Sequence, residues 1–87
     1  MNLLNVGFGN LVSEDRIVAM LHPESAPVKR IVRRANERGL LIDASFGRKT
    51  RTVIITDTDH VVLSSLLLDR IAGRYSVTLT EDADESY

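Results

Sequence analysis

One helix, punctuated at both ends, divides this chain and limits what the rest of it can become. Ser25-Ala26-Pro27 opens it. Proline suits a first helical turn, where its missing N–H would be unpaired in any case, and Ser25 or Glu24 can cap the end or complement the dipole. Val28, Ile31, Val32 and Ala35 follow the 3, 4 spacing of a single buried face. Lys29, Arg30, Arg33, Arg34, Glu37 and Arg38 fill the remainder, and Gly39 stands where a left-handed C-terminal cap belongs. The spacing predicts a helix over residues 26–38, with Pro27 in a structural role as its starter.

On either side the apolar residues come in strand-length runs. Asn2 to Val6 reads as a first strand, broken at Gly7-Phe8-Gly9-Asn10, whose glycines and asparagine supply the positive φ of a tight turn. Leu11-Val12 and, past the polar break Ser13-Glu14-Asp15, Arg16 to Leu21 form a second extended region that His22-Pro23 ends. Ile17 to Leu21 is apolar throughout, which suits a strand covered on both faces. After the helix, Leu40 to Ser45 and Arg51 to Thr56 read as the two arms of a hairpin with Gly47 near its tip. Asp57-Thr58-Asp59 is a turn and His60 to Leu63 another strand. A short helix over about Leu67 to Arg74, capped by Ser64 or Ser65, carries Leu67, Leu68, Ile71 and Ala72 as its apolar stripe, and Val77 to Leu79 reads as an isolated strand. The links between the later strands are short, so the sheet is expected to be chiefly antiparallel. The order ββαβββα describes a small α+β domain over residues 1–80, followed by a disordered acidic tail, 81–87.

A chain of 87 residues buries a modest fraction of its surface, and with no cysteine it has neither a disulfide staple nor a thiolate metal site. Its two Phe and two Tyr, without Trp, leave the core to aliphatic side chains. The two-sided apolar runs suggest that another copy of the chain covers part of this surface. No stretch approaches the ~18 apolar residues of a membrane helix, and no secretory signal is visible, so a cytoplasmic protein is expected.

The net charge of −1 hides a segregation. Lys29, Arg30, Arg33, Arg34, Arg38, Arg48, Lys49 and Arg51 face only Glu37 and Asp43 in the middle of the chain, while the tail holds Glu81, Asp82, Asp84 and Glu85. Without those four the body carries roughly +3. The helix cations have a plain reading as a solvated face, with Glu37 in reach of Arg33 and Arg34. Arg48, Lys49 and, beside them, Arg51 lie on the loop from Asp43 to Arg51, where three cations make either an anion site or a solvated turn. Scarce aromatic residues favour duplex backbone contacts over stacking platforms for single strands.

Catalytic chemistry finds little support. Gly7-Phe8-Gly9 is not a dinucleotide loop, because Val12 takes the place of the third glycine. His22 and His60 have no ligand partners at short spacing, and Asp57 and Asp59 lack the glycine and distal Glu of a calcium loop. No P-loop, zinc or Gly-x-Ser-x-Gly motif occurs. Neither an enzyme nor a cofactor, metal or small-molecule substrate is expected.

With these residues in view, the sequence resembles the RemA-like family of bacterial regulators of extracellular-matrix genes. The resemblance is carried by Asn5-Val-Gly-Phe-Gly-Asn10, Val12-Ser13 with Arg16-Ile17-Val18, Pro23-Glu-Ser-Ala-Pro27 with Lys29-Arg30, Leu41-Ile-Asp-Ala44, Gly47-Arg48-Lys49-Thr50-Arg51 and Asp57-x-Asp59-His60-Val61. It runs over residues 2–64 and departs from the family pattern at Leu66-Leu67-Leu68, where relatives have a polar, proline-containing helix start. The resemblance implies a cytoplasmic, nucleoid-associated transcriptional regulator that binds double-stranded DNA as a ring-forming homo-oligomer. It assigns DNA contacts to Arg16, Arg48 and Lys49, the last standing where relatives commonly carry arginine; Arg51 joins them by proximity. Two other readings stay open: a module that forms rings without nucleic acid, and an enzyme acting on a phosphorylated metabolite.

Overall fold

The computed structural model describes residues 2–72. The strand expected at 77–79, residues 73–74 of the expected second helix and the acidic tail lie outside them. The described chain runs β1 (Leu3–Gly7), β2 (Asn10–Ser13), a 3₁₀ turn (Glu14–Arg16), β3 (Ile17–Leu21), α1 (Ala26–Glu37), β4 (Leu41–Asp43), β5 (Thr52–Thr56), β6 (Val61–Ser64) and α2 (Leu68–Ile71).

The helix forms as its punctuation requires. The Ser25 hydroxyl accepts from the Val28 N–H at 3.3 Å, satisfying one of the donors left over at the helix start. At the other end Gly39, with φ of 73°, turns the chain so that its N–H reaches the Asn36 carbonyl and the Leu40 N–H reaches Ala35. This pair of bonds is the Schellman closure.

The second extended region divides. The 3₁₀ turn at Glu14–Arg16 separates β2, which pairs with β1 in a hairpin, from β3, which enters a second sheet. That sheet has the order β3-β5-β6-β4. Its β3–β5 and β5–β6 pairs are antiparallel, as the short links imply, but β4 pairs with β6 in parallel, Leu41 opposite Val61 and Asp43 opposite Leu63. The expected hairpin between 40–45 and 51–56 therefore does not exist. β5 is flanked by β3 and β6 because Thr52, Val53 and Ile54 are wholly buried, whereas half-exposed Leu41 and exposed Ile42 suit an edge. Residues 44–51 form a crossover loop, and β5 itself serves as part of the connection from β4 to its parallel neighbour.

Alternate residues of the central strands feed two cores, one on each face of the sheet. Val53 and Val61 pack with Val28 and Ala35 of α1. Ile54 and Val62 pack on the opposite face with Leu4 and Val6 of β1, Ala44 and Ile71. The sheet is thus the middle of three layers. Buried Ser64 ties two of them, since its hydroxyl donates to the Val6 carbonyl at 2.6 Å and accepts from the Leu66 N–H at 3.1 Å. It is not the cap of α2. Leu67 holds that position without a side-chain bond, and α2 is a single turn with Ile71 buried and Leu67 exposed.

Among the described residues both edges of the large sheet are open. Val18 on β3 is 66% exposed and Ile42 on β4 48% exposed. The apolar run 17–21 is covered in part on both faces: Ile17 and Met20 pack toward the core under β1 and Leu21 toward the core under α1, while Val18 stays exposed.

Candidate nucleic-acid interface

The loop from 44 to 51 owes its shape to its anchors. Ala44 and Ser45 are buried at its root, where the Ala44 N–H donates to Leu63 at 2.9 Å. At the far end the Arg51 N–H donates to Ser64 at 2.8 Å. Between them Phe46 and Gly47 have φ of 55° and 79°, and the Arg48 N–H closes the turn onto the Ser45 carbonyl at 3.0 Å. Positive φ at both central residues is the arrangement of a type I′ turn, unusual with phenylalanine at the first place.

Asp43 braces this root. Its carboxylate accepts from both the hydroxyl and the N–H of Ser45. The Ser45 hydroxyl chiefly, and its N–H next, hold the Asp43 carboxyl below its ordinary 3.8. A depressed folded value means that this brace is fully present above the ordinary carboxylate value and is lost as pH falls through the folded one. We expect an NMR titration of the Asp43 carboxyl to show a midpoint below that of an unconstrained aspartate, and Ser45→Ala to return it upward. An unmoved midpoint in Ser45→Ala would reject the brace.

The β1–β2 turn lies alongside. Phe8 and Gly9 again form a pair with positive φ, 54° and 77°, and the Asn10 side chain donates to the Gly7 carbonyl at 3.0 Å. The Phe8 and Phe46 rings stack with centroids 5.0 Å apart at 30°, and the Arg48 guanidinium sits 5.7 Å from the Phe8 centroid. Such a stack contributes about 0.5–1.5 kcal/mol, while a bulky residue at positive φ costs on the order of 1–3 kcal/mol. Stacking alone does not offset the strain of two such residues.

Arg48, Lys49 and Arg51 are all exposed and line one open groove with Gly7, Phe8, Ser65 and Leu66. Lys49 and Arg51 also face a second groove beside His22, Pro23 and Glu24. Among the described residues no carboxylate lies within ion-pair distance of these three cations. The loop therefore presents uncompensated positive charge on a backbone tied down at both ends.

Arg16 stands elsewhere. It ends the 3₁₀ turn and pairs with Asp57 at 3.2 Å, both side chains exposed. Such a pair is worth about 0–1 kcal/mol and exchanges readily for another anion. Asp57 follows the far end of β5, so Arg16 and Arg51 are separated by the length of that strand, about 20 Å at ~3.4 Å per residue. The structure gathers Arg48, Lys49 and Arg51 and leaves Arg16 at the opposite end of the sheet. Of the two histidines, His60 shares a hydrogen bond with the Thr58 hydroxyl at 2.8 Å, and no group of three metal-ligating side chains occurs among the described residues.

Sequence reasoning missed the aromatic pair. Its signal was present as the dipeptide Phe-Gly, which occurs at both turns and places the only two phenylalanines of the chain there.

A family model described as extracellular matrix regulatory protein A-like matches residues 3–75. The chain is also 52% identical over 84 residues to a protein of Acetivibrio thermocellus named "Putative regulatory protein", covering 97% of this chain and 90% of that one. It is 54% identical over 82 residues to a Clostridium kluyveri protein of the same name, covering 94% and 89%. A Halothermothrix orenii relative is 55% identical over 76 residues, covering 87% and 90%. On this footing the protein belongs to the RemA-like family.

Proposed function

We propose that this protein is a transcriptional regulator that binds double-stranded DNA as a homo-oligomer, its genes including those of the extracellular matrix, and that it works on the nucleoid in the cytoplasm. The observation that carries the reading is the loop bearing Arg48, Lys49 and Arg51, uncompensated among the described residues and held by backbone bonds at both ends. Arg16, in a weak exposed pair, is the fourth contact. The regulatory names of the relatives and the family description support the same role.

One protomer offers too few phosphate contacts for tight binding. The two edges of the large sheet, β3 and β4, open among the described residues, favour head-to-tail association, and such an interface closes into a ring when its rotation permits. Repetition then multiplies weak contacts through effective concentration, and carries the Arg16 end of one copy toward the loop of another. Bending a duplex around the rim costs on the order of several kcal/mol, which repeated cationic contacts offset.

Light scattering and fluorescence anisotropy across a salt series test this. The expected result is a species larger than one chain at every salt, with duplex affinity falling by about a thousand-fold or more between ~50 and ~200 mM salt. An oligomer with no salt-dependent DNA affinity would instead favour a module that assembles without nucleic acid, for which the open sheet edges are also sufficient.

A further inference from the structure

Backbone contacts leave the Phe8–Phe46 pair unused. Both phenylalanines of the chain are on the surface, on adjacent turns, at positive φ that glycine or asparagine would adopt with less strain. Their mutual stacking accounts for the faces they turn to each other. It does not account for the outer side of Phe46, which is 78% exposed, the most exposed large apolar side chain among the described residues. A large apolar side chain displayed this far out, beside Arg48, Lys49 and Arg51, calls for a partner that is both apolar and anionic. A duplex opened at one base step is such a partner: phosphates flank an apolar cleft between base pairs.

We infer that Phe46, backed by Phe8, is a wedge that enters the minor groove and partly unstacks one base step. The inference rests on the DNA-binding reading and adds to it a mode of contact. The mechanics are suitable, because a wedge must not yield when pressed. The Phe8 ring supports it from behind, the Arg48 N–H closes the turn beneath it, and buried Ser45, held by exposed Asp43, secures the root. The wedge kinks the duplex locally at the inserted step while the neighbouring cations hold the flanking phosphates. It also selects sequence without reading a base edge, since pyrimidine–purine steps unstack most easily.

The test uses the full chain and a duplex of about 30 base pairs, end-labelled for energy transfer, with 2-aminopurine placed at successive steps. Wild-type protein is expected to brighten 2-aminopurine at TA or CA steps and to shorten the end-to-end distance. Phe46→Asn, suited to the left-handed backbone and so expected to fold, loses both signals. Its affinity changes by less than about ten-fold, because it forgoes the insertion and the unstacking together. Phe46→Leu, still an apolar wedge, keeps most of the brightening. Retained brightening and bend in Phe46→Asn would overturn the wedge while the cation reading stood. A changed oligomer mass in Phe46→Asn would also overturn it, assigning the ring to contact between copies. Wild-type protein that binds no duplex would overturn the DNA-binding reading itself.

Discussion

Arg48→Ala together with Lys49→Ala is expected to weaken duplex binding by about thirty-fold for each protomer engaged near 0.15 M salt. The figure follows from a salt slope of ~0.9 per neutralised phosphate, which makes each contact worth about five-fold at that concentration. Two engaged protomers raise the loss to roughly a thousand-fold, and the slope itself falls by about 1.8 per protomer. Both side chains are exposed and without an ion-pair partner among the described residues, so the fold and the oligomer mass should not change. Anisotropy titrations at several salt concentrations, with light scattering and circular dichroism on the same samples, give the answer. Arg48→Lys should retain most of the salt slope, since the charge survives while the planar fork over Phe8 is lost. Equal affinity and equal slope in the double variant would remove the loop from the interface.

Ile54→Ala is expected to produce the largest loss of stability, about 3–4 kcal/mol. Ile54 is wholly buried at the middle of the central strand, where it meets Leu4, Val6, Ala44, Val62 and Ile71. Truncation forfeits the transfer energy of the removed methylenes and leaves a cavity that β5, paired on both sides, cannot close. A domain of this size has on the order of 4–13 kcal/mol in all, so the melting temperature should drop by about 15–25 °C. Thermal and urea unfolding at one protein concentration measure it, because association adds a concentration-dependent term. The variant should bind DNA less well too, for Ala44 at the root of the basic loop belongs to the same cluster. A loss below about 1 kcal/mol would mean that the hairpin layer is not packed through Ile54.

Much of this molecule was legible from neighbours in the chain. The helix could be read from Ser25, Pro27 and Gly39 because capping is a matter between residues three or four apart. The turn at Gly7-Phe8-Gly9-Asn10 could be read for the same reason, its positive φ being set by local chemistry. The exposure of Arg48, Lys49 and Arg51 followed from charge and from a loop too polar to bury. Their setting did not. Leu40 to Ser45 and Arg51 to Thr56, placed close in sequence with a glycine between them, carry every local mark of a hairpin. β5 instead pairs with β3 and β6. That choice depends on how much apolar surface each strand must hide, a sum taken over two faces and residues far apart. Ser64 shows the same limit. Its hydroxyl is a plausible cap by position and becomes a tie to Val6 only because β1 arrives over the sheet.

The sequence by itself determined the helix and its ends, the tight turns, the segregation of charge and the family, since each is written in residue types at short, fixed spacing. Only the tertiary structure decided that β4 runs parallel beside β6 and that the basic stretch is a crossover loop. It also set Phe46 against Phe8, and placed Arg16 at the other end of the sheet from the remaining cations. Strand pairing and ring stacking join residues whose separation along the chain carries no signal of their contact. The competition among all burial options settles them at once.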